Sequence, residues 1–323
     1  MTHRKVDFSA GGDLHIVALA GGVGGAKLVQ GLAYLLPPSQ LRIIVNTGDD
    51  FEHLGLTICP DVDTIMYTLA GIANPRTGWG VEGETFHCLE SIRRLGGASW
   101  FRLGDRDLAT HLLRTHKLQE GLRLTEVTHR LAKSLGIQHP VLPMADSPFR
   151  TRVITDGGEL AFQDYFVRQA CDPRVVGFRW EADEGTGPTQ EVMAALAWAD
   201  VVVICPSNPF VSIDPILALP GVRDAVAARP VLAVSPIIGG EAVKGPAAKM
   251  FRELIGEPSA LAVAEYYRGL LAGFFVDRID AEQAGEIEKL GVAVRVAQTL
   301  MPGLDQRVDL AREVLGLAAE LGS

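Results

Sequence analysis

Six short apolar runs recur along the chain, Leu14–Ala20, Leu41–Asn46, Val201–Cys205, Val231–Ser235, Phe274–Asp277 and Val292–Val296, rich in β-branched residues and separated by helical patterns. A strand without a polar face cannot border water, so it must be covered on both sides. Helices wrapped over both faces of a parallel sheet provide that cover. The expected fold is therefore α/β, a Rossmann-like, doubly wound, mostly parallel sheet. With 47% hydrophobic residues among 323, the chain has ample material for a large core, and length alone permits one domain or two. No Pro/Gly/Ser-rich linker separates two folds, so residues 1–13 read as a tail and 14–323 as a single domain. Between the second and third runs, helical patterns cluster at Asp63–Ala70, Glu84–Leu95, Leu108–Lys117 and Leu124–Leu135. Two alternating runs about Gly157-Gly158 then predict a β-hairpin. The stretch from about 61 to 170 is read as an inserted lobe over the sheet.

A formal net charge of -9 gives no general attraction to nucleic acid or an anionic membrane, so any phosphate must be met locally. Cys59, Cys88, Cys171 and Cys205 form no CxxC pair and no disulfide framework, which suits a reducing compartment. The N-terminus has no apolar signal region and no run is long enough to span a bilayer, so a cytoplasmic location is expected. The Ala- and Leu-rich helix faces between Leu310 and Leu321 could pack on the core or on a second copy, and a homodimer is the expected assembly.

The first run leads straight into Gly21-Gly22-Val23-Gly24-Gly25-Ala26-Lys27, followed by a helical pattern with Leu28, Leu32 and Leu35 on one face. Backbone amides of a side-chain-free turn at a helix N-terminus can approach a phosphate closely, and the helix dipole favours its charge. The spacing matches neither the dinucleotide fingerprint nor the P-loop, and a tight turn with nothing bound is the plain alternative. The second run ends in Asn46-Thr47-Gly48-Asp49-Asp50, and Pro60-Asp61-Val62-Asp63-Thr64 follows closely. Carboxylates at the C-terminal end of a strand in an open α/β sheet overlook the ligand crevice. Acidic groups beside a phosphate call for a cation, and Mg2+ takes carboxylate and phosphate oxygens together. Asp49, Asp50, Asp61 and Asp63 are thus candidate ligands, with the alternative that some are turn residues or helix N-caps.

Arg102-Leu103-Gly104-Asp105-Arg106-Asp107 precedes another helix, where Asp105 could be an N-cap and the arginines could clamp phosphate or a planar ring. Ser207-Asn208-Pro209 and Pro236-Ile237-Ile238-Gly239-Gly240 each follow a strand at the same sheet edge. Trp79 between two glycines reads as core or as a stacking platform. His111 and His116, five apart, point about 140° away from each other on a helix, so they read as ordinary helix residues.

Together, Ala20 to Lys27, Asn46 to Asp50, Cys59 to Thr64, Gly78-Trp79-Gly80, Leu103 to Asp107, Phe162-Gln163-Asp164, Pro206 to Pro209 and Ser235 to Gly239 resemble the 2-phospho-L-lactate transferases (CofD/FbiA-like) of coenzyme F-420 biosynthesis. The likeness covers about residues 14 to 300. It implies a Mg2+-dependent transferase that moves a phospholactyl, phosphoenolpyruvyl or phosphoglyceryl group from a guanosine diphosphate ester to the ribityl hydroxyl of the deazaflavin Fo, releasing GMP. It further implies that Asp49 and Asp63 act in catalysis, that Asp63, Arg102 and Trp79 meet Fo, and that Gly21, Gly22, Gly24, Gly25, Lys27, Ser207 and Asn208 face the nucleotide. The chain departs from the pattern in its tail, Met1–Asp13, and in Arg102, where a lysine is also familiar. A similar glycine turn occurs in the gluconeogenesis-factor group, so a non-catalytic nucleotide-sugar-binding regulator is the alternative. A nicotinamide oxidoreductase fits the glycine spacing poorly.

Overall fold

A computed structural model describes residues 14–322; the expected tail lies outside the described residues. Seven parallel strands form the central sheet: β1 (Ile16–Ala20), β2 (Leu41–Val45), β3 (Val141–Pro143), β4 (Val201–Ile204), β5 (Val231–Val234), β6 (Gly273–Asp277) and β7 (Ala293–Ala297). Their order is β7-β6-β5-β4-β1-β2-β3. The six apolar runs of the sequence are six of these strands. The seventh, β3, belongs to the stretch read as an insertion and closes one edge of the sheet.

Alternate side chains of each strand enter two separate cores, as two-faced cover requires. Ile16, Ala18 and Ala20 pack with helix α1 (Gly22–Leu35), with α2 (Pro60–Leu69) and with the C-terminal helix Leu304–Leu321. Val17 and Leu19 pack on the opposite face with Leu196, Phe251 and Val263. The apolar face of Leu304–Leu321 is therefore spent inside the fold, against α1 and the sheet. Gly31 permits the closest approach of the two helices, since a Cβ there would stand 2.1 Å from the Arg307 carbonyl oxygen.

The predicted hairpin is present as Phe149–Thr155 and Gly158–Ala161, and a third antiparallel strand, Val175–Ala182, joins its other edge. A π-helical turn, Asp164–Arg168, follows the hairpin, and a second, Pro209–Ile213, follows β4. Strand order reverses between β1 and β4, whose chains leave in opposite directions and open a crevice at their C-terminal ends.

Candidate active site

The crevice is a cleft of about 640 Å³, well within the range of small-ligand sites. Gly21, Gly22, Gly24, Lys27, Asp49, Asp61, Asp63, Trp79, Arg102, Ser207 and Asn208 all line it, so residues from six separate segments converge. Of the expected site residues, Gly25 and Asp50 do not. The 25th position is a packing requirement: a Cβ would stand 2.5 Å from Ser207 Oγ. Asp50 turns beneath the cleft, where the Cys59 thiol hydrogen-bonds it and burial pushes its carboxyl up.

The glycine turn is the first turn of α1, and its close packing explains its composition. Gly22 has φ +63°, a conformation that disfavours side chains, and a Cβ at Gly24 would stand 2.2 Å from the Pro206 carbonyl oxygen. Two of its amides are already satisfied. Gly21 N donates to Ser207 Oγ (3.1 Å), and Ser207 Oγ donates back to Gly21 O (2.8 Å). Gly22 N donates to Asp61 Oδ1 (2.7 Å). Val23 and Gly24 keep amides without a partner among the described residues, and these are what an incoming phosphate would meet. Asn208 is also structural in part: its Oδ1 accepts from Phe210 N (3.0 Å) and caps the second π-turn.

The four aspartates separate into two environments. Asn46 Nδ2 lies 3.1 Å from Asp49 Oδ1 and 2.9 Å from Asp61 Oδ2, so one neutral amide is shared by two buried carboxylates. Burial, then the charges of Asp61 and Asp50, push the Asp49 carboxyl well above the usual carboxylate range. The Asp61 carboxyl is pushed up to about 6, chiefly by burial and against the hydrogen bonds from Asn46 and Gly22. Among the described residues no cationic side chain pairs with either. Although Asp61 and Asp63 lie in the first turn of α2, neither caps it; Cys59 holds the N-cap position, and Asp61 serves α1 instead.

Asp63 is balanced internally. The fully buried Arg114 guanidinium grips it in a bidentate pair, with Nη1 3.0 Å from Oδ2 and Nη2 on Oδ1. His111 Nδ1 stands 3.2 Å from Arg114 Nη1, and His111 Nε2 lies 3.3 Å from Asp107 Oδ1, which also accepts from Tyr67 OH (2.7 Å). For Asp107, burial works to raise the carboxyl, but the His111 hydrogen bond and charge outweigh it and hold the carboxyl low. Asp63, Asp107 and His111 bring ligand atoms within 4.8 Å of one another, yet Arg114 already supplies the positive charge there. His111 is thus no ordinary helix residue: it is buried and lines the cleft. A pattern signal existed, since Asp107, His111 and Arg114 fall at i, i+4 and i+7 on one helical face.

Asp105 does not cap its own helix, α4 of the lobe (Asp105–Gln119, after α3, His87–Arg94), as the sequence suggested. Its carboxylate accepts from His87 N (3.0 Å) and Cys88 N (3.1 Å) and so caps α3, while Glu84 accepts from Arg106 N (2.9 Å) and Asp107 N (2.7 Å) and caps α4. Arg102, just before α4, stands beside the cleft with its guanidinium 4.3 Å above the Phe86 ring. Phe101, Phe162 and Phe166 line the same end, the last two stacked with centroids 5.5 Å apart. Sequence reasoning named Phe162 only within a motif of the resemblance and passed over Phe101 and Phe166, because isolated phenylalanines look like core. Gln163 Nε2 donates to the Asp49 carbonyl oxygen (3.3 Å) and ties this aromatic end to the aspartate turn. Among the described residues no helix is long and apolar enough to cross a membrane.

A Rossmann-like α/β sheet carrying a glycine turn, clustered carboxylates and an aromatic flank over its crevice has the architecture of a group-transfer enzyme. The family model described as 2-phospho-L-lactate transferase CofD matches residues 16–301. The chain belongs to the CofD family of phospholactate and phosphoenolpyruvate transferases. It is 42% identical over 316 residues to a phosphoenolpyruvate transferase of Streptomyces coelicolor, covering 95% of this chain and 99% of that one. It is 41% identical over 311 residues to a 2-phospho-L-lactate transferase of Methanopyrus kandleri (96% and 99% covered) and 39% identical over 302 residues to that of Methanosarcina acetivorans (94% and 98%). Among solved structures, a UPF0052-family protein of Bacillus halodurans superposes with a TM-score of 0.62 at 17% identity, over 94% of this chain and 99% of that one, and shares the fold.

Proposed function

We propose that this transferase moves a phosphorylated three-carbon acid from a guanosine diphosphate ester to the ribityl hydroxyl of the deazaflavin Fo, releasing GMP. One observation carries the reading: the buried Asp49–Asp61 pair is joined to the glycine turn through Gly22 and to the aromatic end through Gln163. A diphosphate on one side and a planar acceptor on the other would therefore meet over uncompensated carboxylates. The pair fits a divalent cation, because two buried like charges share only a neutral amide. Asp49 and Asp61 would hold Mg2+, which neutralises charge on the transferring phosphate. Asp63, with both oxygens on Arg114, is instead a fixed hydrogen-bond acceptor for the incoming acceptor, beside Arg102. The remaining chemistry is positioning of donor and acceptor in the cleft. Relatives named for phosphoenolpyruvate and for 2-phospho-L-lactate stand almost equally near, so both donors remain in the reading.

The test is GMP release on mixing donor, Fo and Mg2+, together with Fo titration of Arg102→Ala, an exposed position whose loss leaves the core intact. Release that requires all three components, and Fo binding weakened by the substitution, are expected. Absence of Fo binding under any condition, with tight uridine-sugar binding and no turnover, overturns the proposal.

A further inference from the structure

Beyond β5, a small hairpin, Ile237–Ile238 paired with Glu241–Ala242, carries the chain to Val243-Lys244-Gly245-Pro246, which lines the cleft. Lys244 is exposed, and its ammonium donates to the carbonyl oxygen of Thr77, in the turn that bears Trp79. The three segments meet at one point. A Cβ on Gly78 would stand 2.5 Å from Val23 Cγ1 of the glycine turn and 3.1 Å from Lys244 Nζ. Neither Lys244 nor Lys27, which also lines the cleft, pairs with a carboxylate among the described residues. Lys27 is held below its ordinary range by burial, by Arg307 and by Lys244, so positive charge gathers here without an internal counter-charge. Val23, the residue that Gly78 crowds, carries one of the two glycine-turn amides without a partner among the described residues.

We infer that Lys244 is a donor-binding residue that leaves the Thr77 carbonyl for the diphosphate of the incoming nucleotide ester and, with Lys27, clamps it on the glycine turn. The inference rests on the proposed donor and deepens it, by giving the diphosphate a cation that no motif contains. A carbonyl brings the ammonium no counter-charge, whereas a phosphate oxygen adds a full opposite charge to the hydrogen bond, so the exchange favours the bound state.

Binding of GDP, GMP, guanosine and inorganic pyrophosphate to wild type, Lys244→Met and Lys244→Arg, measured by calorimetry with Mg2+ at two salt concentrations, decides it. Lys244→Met is expected to weaken GDP about tenfold or more and flatten its salt dependence, to leave guanosine unchanged, and to be largely rescued by arginine. Equal affinity of wild type and Lys244→Met for GDP, or parallel losses for GDP and guanosine, overturns it. Pyrophosphate separates the two readings: Lys244-dependent pyrophosphate binding in a protein that ignores GDP would reject the guanosine donor and keep the cation clamp. If neither anion depends on Lys244, the clamp is rejected whatever the donor.

Discussion

The Asp49–Asp61 pair allows a prediction with a sign that ordinary buried-polar substitutions do not have. A single amide nitrogen 3.1 Å from one carboxylate and 2.9 Å from the other places two buried oxygens within about 6 Å. Two unit charges at that separation repel by about 3 kcal/mol at an effective dielectric constant near 20. Asp49→Asn keeps an oxygen to accept from Asn46 and removes the repulsion. Without divalent cation at pH 8, the variant should be more stable than wild type by up to about 3 kcal/mol, near 4 °C in midpoint for a chain of this length. The pH dependence follows. Both carboxyls are raised in the fold, so the native state holds protons that the unfolded state has lost, and stability falls as pH rises from about 4 through and beyond 6. The two proteins should therefore converge in stability near pH 4 and diverge above pH 6. Saturating Mg2+ should reverse the order, because only wild type offers two carboxylates. Thermal melts in chelator and in Mg2+ across this pH range measure all of it. A variant less stable than wild type in chelator at pH 8, with a wild type indifferent to Mg2+, would refute the reasoning.

Arg114→Met strands the Asp63 carboxylate in a fully buried site and should cost about 3–5 kcal/mol in denaturant unfolding, with loss of Fo binding. Gly24→Ala must displace the Pro206 carbonyl or the glycine turn, so GDP affinity should drop at least tenfold in calorimetry while circular dichroism stays native. Glu84→Ala removes the cap of α4 and should lower stability by about 1 kcal/mol, with the loss concentrated in amide exchange of α3 and α4.

Six sheet strands were legible because a parallel strand buried on both faces advertises itself as an unbroken apolar run. Val141–Pro143 was not, since three residues are too few for a pattern, and its place at the sheet edge comes from pairing with β2. The glycine turn and the aspartates were legible as chemistry, but their division of labour was not. It depends on Arg114, which reaches Asp63 from 51 residues away, and on Asn46, which holds two carboxylates brought together only by the fold. Asp105 illustrates the same limit: a carboxylate before a helical pattern looks like that helix's cap, whereas the structure lends it to the neighbouring helix. Lys244 carried no signal, as a lysine in a glycine-rich loop resembles any solvated surface residue.

The two hydrogen bonds between Gly21 and Ser207 join the ends of β1 and β4 across 186 positions of sequence. Strand β1, inside the sheet, therefore acquires one neighbour early, β2, and the other, β4, only after more than half of the chain exists. During synthesis the first half can pack α1 against β1, but the floor of the cleft remains open on one side until β4 arrives. Such long-range closure is slow relative to helix formation. The half-built molecule then exposes the edge of β1 beside a glycine turn, which makes the interval before Ser207 docks the stage at which this enzyme is most open to strand-mediated misassembly.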